Sequence, residues 1–395
     1  MNSFYKGVSM QRSPYTPGEV TTFLPGRETH MRRLRSQMQL VADEGAFIAR
    51  PRVFVGSRGV GKTSLLRYAQ KAARERGLAT VWITAGDADL LPVLSAELEK
   101  LTATWHSSAA QEITSLIRNL EFSLSIPGFG VSTGPSQRPA AVEAPGQALE
   151  ALIAATARTL HKGGGGLAIF IDEFRTADHT ALKALAYAWQ HLRSQEGASV
   201  PATLVGAGLG HTSDVVTDAA TFGERFEFIR LKDLSRDAAY EALAGPAETL
   251  GVTWHHSAIE AVLEKAHGYP HFLQLWAHAA WEAAGSPHPG GMITLGAVEA
   301  SEDEVHDQLD VFYRTRWGKA TPAERELLRA VAQQTSPTPR RADVAATLGK
   351  PTTAISMARR SLMDKGILDS PGRGLLSFTA PGFSDYILEH EGTED

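Results

Sequence analysis

Along the first 231 residues the apolar positions switch repeatedly between a period near 3.6 and short continuous runs. After an arm punctuated by Pro14, Pro17, Gly18, Pro25 and Gly26, the residues Met31, Leu34, Met38 and Leu40–Val41 recur at helical spacing. Arg52 to Val55 is a short β-branched run ending in glycines, Gly61 to Arg76 reads as a helix, and Ala79 to Thr84 as a second strand. Helical spacing resumes from Asp89 to about Leu101 and again from Gln147 to His161. The glycines at 163–166 lead into the most apolar run, Leu167 to Ile171, followed by a helix carrying Leu182, Leu185, Trp189 and Leu192. Thr203 to Val205 and Phe226 to Leu231 complete five strands. Strands alternating with helices predict an α/β fold whose parallel sheet is covered on both faces.

Residues 102–147 break this rhythm. Between Phe122 and Val142 the only charge is Arg138, and Pro127, Gly128, Gly130, Gly134, Pro135 and Pro139 accumulate. Such a stretch predicts an inserted β-ribbon or mobile loop. Beyond Leu231 the strand pattern stops, and helical spacing covers Asp237 to Leu250, Ser257 to Ala266, His271 to Ala284 and Thr294 to Arg316. A last unit from about Thr321 reads as three helices, two short strands and a closing helix. The expected division is 1–232, 233–317 and 318–395.

Composition narrows the class without naming it. The 395 residues are 43% hydrophobic and 21% charged, as in ordinary globular proteins. The longest apolar runs are far too short to cross a bilayer, and Met1 to Gly18 has no apolar signal core. No cysteine is present, so disulfides, thiolate metal sites and cysteine nucleophiles are excluded, which fits a cytoplasmic setting. The formal charge of −5, from 39 basic and 44 acidic residues, means that any nucleic-acid contact must rest on a local patch.

The chemistry concentrates in two places. Gly56-Ser57-Arg58-Gly59-Val60-Gly61-Lys62-Thr63 matches G-x-x-x-x-G-K-[ST] between a predicted strand and a predicted helix that continues with Ser64. Glycines let backbone N–H groups curl around phosphate oxygens, and the helix N-terminus adds its dipole. Lys62 reaches the β/γ-phosphates and Thr63 offers a hydroxyl to Mg²⁺. The partner is Leu167 to Glu173, an apolar strand bearing two carboxylates at the end where open α/β sheets bind ligands. There Asp172 would hold Mg²⁺, and Glu173 would polarise the water that attacks the γ-phosphate of ATP. His255-His256 has no metal-ligand companions at useful spacing, and Trp276 and Trp281 fit an apolar helix face.

With these motifs, the segments Ser13-Pro14-Tyr15-Thr16-Pro17-Gly18, Pro25-Gly26-Arg27-Glu28, Gly206-Ala207-Gly208-Leu209, Gly268-Tyr269-Pro270-His271-Phe272-Leu273-Gln274 and Arg373-Gly374-Leu375-Leu376-Ser377-Phe378-Thr379 make the chain resemble the origin-recognition-like AAA+ ATPases and their STAND relatives. More closely, it looks like prokaryotic ATP-binding proteins that join such a module to a winged helix. The resemblance implies an AAA+ P-loop sheet domain, an α-helical lid and a C-terminal winged helix-turn-helix. It also implies that Gly26 and Arg27 match an N-terminal box near the adenine, the alternative being a plain turn and helix start. Pro270 and His271 match the turn that brings the lid onto the nucleotide, or else simply start a helix. Arg225 stands where such proteins place an arginine finger; an arginine at a helix end can equally cap or pair within its own subunit. Two departures stand out: no polar sensor closes the Thr203 to Val205 strand, and His271 replaces a sensor arginine. Slow hydrolysis is the expectation.

Between 336 and 375, Arg340, Arg341, Lys350, Arg359, Arg360, Lys365 and Arg373 face only Asp343, Asp364 and Asp369. Arg359, Arg360 and Arg373 could therefore lie against DNA phosphates. Against this stands the acidic tail after Phe383, with Asp385, Glu389, Glu391, Glu394 and Asp395. The expected function is an ATP-dependent AAA+ ATPase that changes shape or assembles, as a homo-oligomer, to act on DNA. The alternative is a STAND-like switch acting through protein partners.

Overall fold

The computed structural model describes residues 11–102, 105, 107–125, 144–194 and 200–390. They form two compact units, one of Thr29–Gly56 with Lys62–Leu231, the other of the chain up to Glu28, Ser57–Gly61 and the chain from Lys232.

The first unit is a layered α/β body. In order it contains α1 (Glu28–Asp43), β1 (Arg52–Val55), α2 (Lys62–Glu75), β2 (Ala79–Thr84), α3 (Leu90–Thr102), α4 (Ser107–Ser125), α5 (Pro145–Lys162), β3 (Leu167–Asp172), α6 (His179–Ser194), β4 (Ala202–Gly208), α7 (Thr212–Ala219) and β5 (Glu227–Arg230). The five strands run parallel in the order β2-β3-β4-β1-β5. Every residue of β3 and β4 is buried, as continuous apolar runs in the middle of a parallel sheet should be. β1 and β3 flank β4, so their C-terminal ends open on the same edge of the sheet, the place where such folds hold ligands.

One expectation is corrected here. Residues 107–125, assigned from sequence to an inserted ribbon or loop, form the helix α4, with Ile113, Ile117 and Leu120 buried in the core of this unit. The glycine- and proline-rich part, 126–143, lies outside the described residues. The Ala144 backbone N–H donates to Gln147 Oε1 at 3.3 Å, and Pro145 begins α5.

The second unit is mostly helical: α8 (Arg236–Thr249), β6 (Thr253–Trp254), α9 (His256–Ala266), α10 (Pro270–Ala283), β7 (Met292–Ile293), α11 (Leu295–Ala300) and α12 (Glu302–Gly318). The expected single helix from Thr294 to Arg316 is broken at Ser301, whose hydroxyl turns back to the Val298 carbonyl. Trp276 and Trp281 are in the core, as their spacing predicts. The N-terminal arm is seated here by Tyr15, which meets Trp254 and Trp281 edge to face at 6.1 and 6.2 Å. Its hydroxyl donates to the Leu243 carbonyl and accepts from Trp254 Nε1 at 2.8 Å.

The chain closes with α13 (Pro322–Ala332), α14 (Arg341–Thr347), α15 (Ser356–Asp364), β8 (Leu368–Asp369), β9 (Ser377–Phe378) and α16 (Phe383–Glu389). β8 and β9 are antiparallel, and an isolated bridge joins Arg340 to Leu375. Three helices, a short hairpin and a final helix are what the apolar pattern predicts for this segment.

Candidate nucleotide site

In the sheet unit the chain leaves β1 at Gly56 and re-enters a helix at Lys62. Lys62 is almost wholly buried and its Nζ donates to the Gly56 carbonyl at 3.1 Å. Thr63 Oγ1 donates to Asp172 Oδ2 at 2.8 Å, while Asp172 Oδ1 accepts the Glu173 N–H at 2.9 Å. The two sequence motifs, 109 residues apart, are thus in direct contact. Ser64 is buried beside them on the first turn of α2.

Asp172 is buried, and among the described residues no basic side chain pairs with it. A buried carboxylate is costly without a cation. A carboxylate and a hydroxyl meeting at the N-terminus of α2 form a hard-oxygen pair of the kind Mg²⁺ takes in nucleotide sites. The residues present fit the metal.

Glu173 is held in the left-handed region, φ 50°, ψ 39°, where a side chain is strained. Its Oε2 lies 3.6 Å from Arg175 Nε. Strand β4 ends without a polar side chain, and the structure gives the reason. A Cβ on Gly206 would come within 3.0 Å of the Phe174 ring, and one on Gly208 within 2.3 Å of Thr212 Oγ1. Thr212 itself is buried, with its hydroxyl turned to the Leu209 carbonyl at 2.6 Å. Arg225 lies exposed, just before β5, and hydrogen-bonds Gln190 of its own chain, while its carbonyl accepts from Arg50 Nε at 3.3 Å.

In the helical unit, Ser57–Gly61 is gripped from two directions. Arg27 donates through Nη2 to the Lys232 carbonyl at 2.6 Å and to the Val60 carbonyl at 3.3 Å. Burial lowers the guanidinium's pKa, opposed by the carboxylates of Asp233 and Glu28; burial likewise raises Asp233, opposed by Arg27. Gly26 turns the chain at φ 74°, where a Cβ would lie 2.8 Å from that of Ala238. From the other direction, Tyr269 donates its hydroxyl to the Arg58 carbonyl. Pro270 is the first residue of α10, so the Gly268-Tyr269-Pro270 turn starts a helix and touches the loop at once. Gly268 is required at φ 73°, because a Cβ would strike the Leu234 carbonyl at 2.5 Å. His271 stacks on Phe312 with ring centroids 5.7 Å apart, and burial, then the Arg316 charge, lowers its pKa, leaving it neutral at pH 7.

Two residues of this group have no sequence signal. Tyr269 entered only as the middle of a turn. Arg316 sits 3.4 Å over the Phe312 ring, and burial lowers its pKa, opposed by Tyr269 and reinforced by Arg58. Nothing in the spacing of α12 sets Arg316 apart from Arg314, which pairs with Asp310 in solvent. At the far end of the chain, Arg359 and Arg373 line one cavity, whereas Arg360 is exposed outside it.

Residues 24–202 match the AAA ATPase domain family, and residues 310–387 match a domain of unknown function, DUF8462. No curated protein matches the chain. Among solved structures, the ORC2 protein of Aeropyrum pernix, described in ADPNP–ADP complexes, is similar over 97% of this chain and 99% of its own, at 16% identity and a TM-score of 0.56. The Walker-type ATPase PABY2304 of Pyrococcus abyssi is similar over 96% of this chain and 99% of its own, also at 16% identity and a TM-score of 0.56. Likeness at this identity is a likeness of fold. The Thr63–Asp172 contact and the β2-β3-β4-β1-β5 sheet agree with it, and residues 24–202, which match the AAA ATPase domain model, lie in a chain whose fold is similar to that of the Aeropyrum pernix ORC2 protein.

Proposed function

We propose that the protein binds Mg·ATP, hydrolyses it slowly, and uses the nucleotide state of its helical part to govern contact with DNA through a C-terminal winged helix. The hydrogen bond between Thr63 and the buried Asp172 is the observation that carries the nucleotide half of this reading. Lys62 supplies a point charge to the β/γ-phosphates, Gly56 to Gly61 supply backbone N–H groups, and Thr63 and Asp172 hold the metal. Mg²⁺, when bound, neutralises charge on the β- and γ-phosphates. Glu173 accepts a hydrogen bond from the attacking water and orients it. Gly26, Arg27, Pro270 and His271 serve the nucleoside end by resemblance. By resemblance, the uncharged His271 stands in place of a sensor arginine and glycine closes β4 in place of a polar sensor, which supports slow turnover.

The α13–α16 segment, with a hairpin after its third helix and Arg359, Arg360 and Arg373 nearby, supports the DNA half. A second reading, a STAND-like switch acting on a protein, draws on Met357, which is 85% exposed on α15, an unusual place for a large apolar side chain. No helix among the described residues is long and apolar enough to cross a membrane.

Calorimetry and phosphate release test the nucleotide half. Lys62→Ala should weaken Mg·ATP binding at least tenfold, about 1.4 kcal/mol. Glu173→Gln should bind ATP normally and lose most turnover. Asp172→Asn should impair Mg²⁺-dependent binding as well. Unchanged affinity in Lys62→Ala would end the nucleotide reading; unchanged turnover in Glu173→Gln would remove Glu173 from the chemistry.

A further inference from the structure

The C-terminal segment contains a cavity of about 320 Å³ lined by Arg341, Arg359 and Arg373 with Gly374, Leu375 and Leu376. Three separate elements deliver the arginines: the start of α14, the middle of α15, and the turn between β8 and β9. The frame between them is hydrogen-bonded. Arg341 N donates to the Gly374 carbonyl at 2.8 Å, Leu376 N donates to the Pro339 carbonyl at 3.0 Å, and Arg340 bridges to Leu375. Arg359 is further steadied by Nη1 against Met363 Sδ at 3.4 Å.

Arginines from three elements line one cavity, and an anion held between them is attracted to all three. The leucine floor lowers the local dielectric and strengthens each charge-assisted hydrogen bond made inside. Planar N–H forks match tetrahedral phosphate oxygens two at a time, which an ammonium cannot do. We infer that this cavity is a phosphate seat, occupied by one backbone phosphodiester of a nucleic acid. It rests on the reading that this part of the chain meets DNA, and adds to it a discrete site and a residue, Arg341, that the basic composition alone did not single out. Arg360 lies outside the seat.

The test uses the full chain and titrates a fluorescent DNA duplex across a range of salt. Arg341→Ala should weaken binding several-fold on every sequence and lower the slope of log affinity against log salt by about one. Arg341→Lys is the deciding variant, since it keeps the charge and the backbone bonds but loses the fork. A seat predicts that it remains impaired; affinity equal to the parent would overturn the seat while leaving DNA binding in place. If the parent binds no DNA at low salt, with or without ATP, the DNA reading itself fails, and inorganic phosphate becomes the probe. In a Lys62→Ala background at constant ionic strength, phosphate should then raise the unfolding temperature, and Arg341→Lys should abolish that rise. No rise would overturn the seat as well.

Discussion

Gly59 shows how much one residue constrains the loop. It turns at φ +77°, and a Cβ there would sit 2.8 Å from Tyr269 Oη and 3.0 Å from His271 Cβ. Gly61, at φ +94°, has nothing within 4 Å of the same position, so an added methyl meets only backbone strain. Gly59→Ala should therefore cost on the order of 1–3 kcal/mol of stability and weaken ATP binding more than tenfold. Gly61→Ala should cost less stability, because no neighbour has to move. Thermal unfolding of both variants checks this, and equal losses would mean that Tyr269 and His271 do not crowd the loop. Burial pushes the Tyr269 hydroxyl up to about 12, so it keeps its proton and its bond to Arg58 throughout the working range. Gly56 and Gly61 were legible from the motif because phosphate cradles impose them directly, whereas Gly59 stands at a position that the motif leaves open. Its neighbours were not legible, since they arrive from 210 and more residues away and only packing selects them.

Elements were legible where periodicity and composition agreed, and β3 and α10 are examples. They conflicted in α4: Ile113, Ile117 and Leu120 have helical spacing, but the adjacent run of glycine and proline outweighed it. The two-residue strands β6 to β9 are too short for any period, and only pairing defines them. A different sequence signal, Thr321-x-x-Glu324 ahead of an apolar run, marks the start of α13, and the structure forms the capping box. Glu324 Oε2 accepts from Thr321 N at 2.7 Å and from Lys365 Nζ at 2.5 Å, tying α13 to the end of α15. Burial alone would raise this carboxyl's pKa, but the bonds from Lys365, Ser361 and Thr321 outweigh it and hold the group at about 2. A lowered folded-state pKa stabilises the fold above the unfolded value, near 4.3, and that contribution disappears as pH falls towards 2. Glu324→Gln should accordingly lose on the order of 1–2 kcal/mol at pH 7. Urea midpoints measured at pH 7, 4.5 and 3 should converge on those of the parent as the acid is titrated. A constant gap would assign the loss to packing instead.

At the scale of the whole molecule, the proposed hydrolysis can be completed either within one chain or between two. Arg225 sits just before β5, in the place where resemblance puts a finger for a neighbour's γ-phosphate. The structure offers it a partner within its own chain, Gln190 on α6, yet leaves the residue exposed. Interactions made by an exposed arginine in solvent are worth little, whereas the gain from meeting a transition-state phosphate in a water-poor interface is large. A shared site therefore predicts that Arg225→Ala binds Mg·ATP like the parent but loses turnover. Mixed with Lys62→Ala protein, it should regain activity, because one variant brings an intact loop and the other an intact finger. An internal role predicts otherwise: a lower unfolding temperature, little change in turnover per folded molecule, and no recovery on mixing. Light scattering in the presence of ATP separates the cases independently. A particle that stays monomeric at every concentration excludes the shared site, and the protein then works as a switch whose nucleotide chemistry is confined to its own chain.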